Sequence, residues 1–145
     1  NDIQVHDINA VTQKGTSAPQ YNFVFIDSCW SAGQCWEMTC FLAGDFGIPA
    51  SAVDRVWLGW RGVMNDSEVP WLCAFASELK AGHSVGYAIW KACRHHLPDA
   101  RCTVEENDTS YFTIRPTTVG DRSTRIRTLY KRPQASLLLW IAPSS

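Results

Sequence analysis

The amino-acid sequence predicts an α/β domain, and three observations carry that expectation. Two stretches rich in continuous apolar or aromatic residues, 23–26 (FVFI) and 53–60 (VDRVWLGW), read as strands, the first of them buried on both sides. Stretches with apolar residues three and four apart follow each of them. Three more strand-like segments then occupy residues 110–142. With 145 residues, 46% of them hydrophobic and 19% charged, the chain suits a single domain with its own core, spanning 1–145.

The elements follow in order. Residues 14–20 (KGTSAPQ) have loop chemistry, and 23–26 is expected to be a central strand. From about 32 to 43, Cys35, Met38, Thr39 and Leu42 recur at helical spacing. The strand 53–60 is closed by Gly59 and Gly62, and 65–69 is a polar loop. Pro70 suits the first residue of a helix carrying Trp71, Ala74, Phe75 and Leu79, which Ala81 and Gly82 end. A second helix starts at Ser84, with Val85, Ala88, Ile89, Ala92 and Cys93 on one face, and stops at Pro98. Residues 110–115 (SYFTIR) and 124–130 (TRIRTLY) alternate in polarity and read as half-exposed strands. Residues 137–142 (LLLWIA) are continuously apolar and read as a central strand, with turns at Val119-Gly120-Asp121 and at Pro133-Gln134. Helices are expected on both faces of the sheet.

The charges nearly cancel, 13 Lys plus Arg against 14 Asp plus Glu, so no global field draws the chain to nucleic acid. No apolar run reaches the roughly 18 residues of a membrane span, and the chain is expected to be soluble. Residue 1 is Asn rather than Met and no charged-then-apolar leader follows, which reads as a processed product. The six cysteines match no zinc-ligand spacing, so no metal is expected. If Cys29 is a thiol, five others remain and at least one more thiol must exist; Cys93 with Cys102 is the preferred disulfide, across a short polar loop. The sequons at Asn65 and Asn107 suit an extracellular, secreted protein. There is neither a C-x-x-C pair nor a glycine-rich phosphate loop, which counts against a small redox or ligand-binding domain, and no cofactor is expected.

The stretch most suggestive of chemistry is 21–36 (YNFVFIDSCWSAGQCW), where an apolar strand runs into Asp27, Ser28 and Cys29. Strand ends deliver side chains and backbone N–H groups to the ligand edge of α/β sheets, and a helix N-terminus close behind favours a thiolate. Cysteine is also among the most frequently buried residues, so a core role stands beside the reactive one.

The motif VFIDSCWSAG (24–33) resembles the nucleophile motif of the caspase-like clan of cysteine peptidases, which includes metacaspases, gingipains and clostripain. VWLGWRG (56–62) resembles the strand bordering the pocket for the residue before the scissile bond, which implies substrate contacts at Gly59 and Trp60. FASELKAGHSVGYAIWKA (75–92) is similar to a helix pair of gingipain-like members, and VGDRSTRI (119–126) to their Gly-Asp turn. The implied fold is a caspase-like three-layer sandwich with a mostly parallel central sheet. The implied activity is that of a cysteine endopeptidase, with Cys29 as nucleophile and its backbone N–H among the oxyanion donors. Its partner would be a peptide or protein substrate.

The clan's His-Gly motif normally lies well upstream of the Cys, roughly 50 residues earlier in caspases. Only 28 residues precede Cys29, and His6 is followed by Asp7 rather than Gly, so His6 is a candidate that departs from the pattern. The expected N-terminal strands and His motif would then belong to an upstream segment or to another piece, and a companion fragment or a homo-oligomer is an expected partner. His83 reads as a loop residue, and His95 with His96 as cations at a helix C-terminus. Asp27 corresponds to the acid that in metacaspase-like members selects Arg or Lys, or it caps the strand end. Arg61 would instead select an acidic residue, and Trp57 and Trp60 could wall such a pocket. The alternative from another class is a non-catalytic caspase-like subunit, secreted and structural, with Trp30 and Trp36 serving a partner contact.

Overall fold

The structure is a computed structural model. It describes residues 21–29, 31–32, 43–44, 46–62, 69–96, 115–126, 130–134 and 137–143.

Within these residues lie five strands and two helices. In chain order they are β1 (Tyr21–Asp27), β2 (Val56–Arg61), α1 (Val69–Lys80), α2 (Val85–His96), β3 (Arg115–Gly120), β4 (Tyr130–Gln134) and β5 (Leu137–Pro143). The strands form one sheet in the order β3-β2-β1-β5-β4, so β1 is central as its unbroken apolar run predicts. β5, the other continuous apolar run, is interior too.

The sheet corrects one expectation. β1 and β2 pair in parallel, with Phe23 opposite Val56 and Ile26 opposite Gly59, but β1–β5, β2–β3 and β4–β5 are all antiparallel. A sheet with a single parallel pair is not mostly parallel. The physical reason is local for β4 and β5, since the short connection between Gln134 and Leu137 leaves room for a hairpin and not for a crossover. The same hairpin overturns the turn expected at Pro133-Gln134, which are the last residues of β4. Proline is tolerated there because β4 is an edge strand, with one side that needs no ladder bond. The strand expected over 124–130 is likewise displaced: 121–126 is a loop with one isolated bridge, Ser84 to Arg125. The strand expected over 110–115 contributes only Arg115, the first residue of β3, and 110–114 lie outside the described residues.

Both faces of β1 and β2 are buried, and side-chain alternation sorts them into two clusters. Phe23 and Phe25 of β1, with Val56, Leu58 and Trp60 of β2, meet Trp71, Phe75 and Leu79 of α1 and Val85, Ala88, Ile89 and Ala92 of α2. Trp140 of β5 joins this face, its ring 5.7 Å from that of Phe25. The other face carries Val24, Ile26 and Trp57 against Ala32, Ala43, Phe46 and Ile48. Each large side chain so buried contributes about 1.5–3 kcal/mol. The helix expected over about 32–43, which would cover this second face, lies almost wholly outside the described residues.

The two helices are joined as their sequences predict. Gly82, at φ +90°, gives α1 a left-handed end: its N–H donates to Leu79 O at 3.0 Å and that of His83 to Glu78 O at 3.1 Å, a Schellman motif. Ser84 then caps α2, its hydroxyl accepting the Tyr87 N–H at 3.2 Å. The two earlier N–H groups of α2 find carbonyls in the 121–126 loop, Val85 at Thr124 (2.9 Å) and Gly86 at Arg122 (2.8 Å). Among the described residues no helix is long and apolar enough to cross a membrane.

Candidate active site

β1 ends at Asp27 and the chain folds into a tight turn, closed by Ser31 N–H donating to Ser28 O at 3.1 Å. Cys29 is the second residue of this turn, exposed at the carboxyl edge of the parallel pair β1/β2. This is the edge where open α/β sheets hold ligands.

Three hydrogen bonds tie the turn to the end of β2. The Trp60 backbone N–H donates to Ser31 Oγ at 2.8 Å, and Ala32 N–H donates to the Trp60 carbonyl at 2.8 Å. The Trp60 indole Nε1–H donates to Asp27 Oδ1 at 2.7 Å. Ser31 is buried, so its hydroxyl is structurally committed and would be costly to remove. Sequence reasoning missed Ser31; the available signal was a second hydroxyl, after Ser28, in a stretch that had to re-enter the core.

The residues assigned to substrate contact have structural work instead. Trp60 is fully buried, its ring 4.7 Å from Trp71 and 6.3 Å from Phe25, so it is not presented as a pocket wall. Gly59 is buried as well, and it makes room for a neighbour: a Cβ there would lie 2.5 Å from the Trp57 ring and 3.0 Å from Ser31 Oγ. Asp27 has one oxygen engaged by Trp60, whereas a bidentate guanidinium pair needs both. Asp27 shares the helix-covered face with Phe25, while Arg61 falls on the opposite face with Trp57 and Gly59. The two candidate specificity groups therefore stand on opposite faces of the sheet.

His6 lies outside the described residues. His83 sits at the far end of the sheet from Cys29. Its loop packs on residues 121–125, which follow β3 where that strand pairs with the start of β2. That places His83 about 20 Å, one strand length, from the thiol turn. His83 Nε2 instead faces Glu78 Oε2 at 3.5 Å. α2 runs back toward the Cys29 end: Cys93 Sγ accepts the Trp71 indole N–H at 3.3 Å, and Trp71 packs on Trp60. His95, two residues on, is exposed at that end. Cys93 is disulfide-bonded, and its expected partner Cys102 lies outside the described residues. Cys73 is a second exposed thiol, on α1. No protein-family model, no curated protein and no solved structure matches the chain.

Proposed function

We propose that the chain is a caspase-like cysteine endopeptidase domain acting on a peptide or protein substrate, with Cys29 as nucleophile. The observation that carries this reading is an exposed thiol on a tight turn at the carboxyl edge of a parallel strand pair, on a turn fixed by three hydrogen bonds. In the reaction, the Cys29 thiolate attacks the scissile carbonyl carbon and a C–S bond forms. The C–N bond then breaks, the amine leaves with a proton from the imidazolium that took it from the thiol, and water hydrolyses the thioester. That imidazole belongs to an upstream segment or companion fragment, with His6 the candidate within this chain, His83 being a strand length away. An extracellular setting is supported by the disulfide at Cys93, which persists in oxidising compartments.

Alkylation by iodoacetamide near neutral pH tests the nucleophile, with Cys73 as internal standard. Mass mapping should show Cys29 modified at least about tenfold faster than Cys73. Equal rates remove the case for an activated thiol. A second reading, a non-catalytic structural or assembly subunit on the same fold, is favoured by one specific observation: Asp27, Gly59 and Trp60 are engaged in packing rather than facing a ligand. Mass spectrometry under non-reducing conditions separates the two, since a Cys29 found in a disulfide favours that subunit.

A further inference from the structure

The two edges of the sheet differ in composition. β4 (YKRPQ) carries Lys131, Arg132 and Pro133, residues that discourage a further strand from joining an edge. β3 (RPTTVG) is charged at its first residue alone, and from Thr117 to Gly120 it has neither charge nor proline.

The bonds around β2 fix which way the backbone of β3 points. The N–H and C=O of Trp60 turn toward β1, where they meet Ser31 Oγ and the Ala32 N–H at 2.8 Å each. Just before β2, the Arg55 C=O turns the other way and accepts the Asp121 N–H at 2.8 Å. Backbone groups alternate sides along a strand, so Trp57, Gly59 and Arg61 face β3. Their register partners Val119, Thr117 and Arg115 bond to β2, which leaves Pro116, Thr118 and Gly120 with backbone groups turned to the outer edge. Among the described residues no strand covers that edge.

The outward pattern is complementary to itself. When β3 is laid antiparallel on a second copy with Thr118 opposite Thr118, the two threonines exchange N–H and C=O bonds, and each Gly120 N–H meets a Pro116 C=O. The same register sets Thr117 across from Val119 and Arg115 across from Asp121, so opposite charges fall at paired positions at both ends. A parallel copy in register would set Arg115 beside Arg115.

We propose that β3 pairs with β3 of a second copy of this chain, antiparallel and about a two-fold axis at Thr118, joining two five-stranded sheets into one. A strand of an unrelated protein has no reason to carry an acid across from 115 and a base across from 121, whereas a second copy does so by symmetry. The proposal does not depend on the chemistry of Cys29.

Sedimentation equilibrium of the whole chain tests it. The mass should rise from 16.3 kDa toward twice that value as concentration is raised, and the amides of Thr118 and Gly120 should exchange more slowly over the same range. Thr118→Pro removes an outward donor and no bond to β2, and should weaken association at least about tenfold. Arg115→Glu sets like charges opposite each other, so its association should be weaker than the native one and strengthened by added salt, the reverse of the native response. Circular dichroism checks that each variant is folded, and Arg115→Glu carries the test alone should proline at 118 disturb the strand. A chain that stays at 16.3 kDa up to about 1 mM, or one whose association both variants leave unchanged, overturns the proposal. So does a dimer in which the Thr118 and Gly120 amides exchange as in the monomer, or one that survives denaturation without reductant and is therefore held by thiols.

Discussion

Gly59 shows how closely the thiol turn is fitted to the strand beneath it. The Trp57 ring occupies the space where a side chain at 59 would stand, and Ser31 Oγ closes the same gap while accepting the Trp60 N–H. Gly59→Ala must therefore push aside a fully buried indole or the serine that anchors the turn. The expected cost is about 1–3 kcal/mol in chemical denaturation. A substitution accommodated with no loss of midpoint would mean that Trp57 and Ser31 are not held as described. Asp27 carries the complementary lesson: its carboxylate does not wait for a ligand but satisfies the indole of Trp60, a donor that would otherwise be buried without a partner.

At the scale of elements, the helix pair was the most legible part of the sequence, and its caps can be tested directly. Ser84→Ala removes the hydroxyl that accepts the Tyr87 N–H, and urea unfolding should register a loss of about 1 kcal/mol. Pro70, Gly82 and Ser84 marked the ends of α1 and α2 because start and stop chemistry is local, and the 3.6-residue period of Trp71, Phe75 and Leu79 fixed the buried side. β1 was legible for a similar reason, a run too apolar to have a wet face. What could not be read was strand direction, since parallel and antiparallel neighbours of β1 bury the same kind of side chain. Pro133 misled because a proline reads as a turn unless the strand is known to be at an edge. In the site, Cys29 stood where expected, but the indole of Trp60 and the hydroxyl of Ser31 meet the turn only through pairings distant in sequence.

The molecule as a whole is closed at the end opposite Cys29 by ties between segments far apart in the chain. Asp121 is central to them: one oxygen accepts the Asp54 N–H at 2.9 Å and the other takes the N–H and hydroxyl of Ser123. Gly120, at φ +99°, lets Asp121 follow β3 so closely that a Cβ there would strike Arg55 O. The hydrogen bonds, that from the Ser123 hydroxyl first, hold the Asp121 carboxyl below its ordinary value of 3.8. A group depressed in this way stabilises the fold fully above its ordinary value and loses that contribution as pH falls through the lowered one. The stability advantage of the native chain over Asp121→Asn should thus be constant near neutrality and shrink as pH drops below 3.8. An advantage independent of pH would contradict the three bonds to the ionised carboxyl.

Because β1 is held on one side by β2 and on the other by β5, the order of synthesis matters to the thiol it carries. β5 emerges from the ribosome after every other described element, and until it does, the strand leading to Cys29 has an open edge. A nascent chain thus leaves one edge of its central strand unpaired until the last described element has been made.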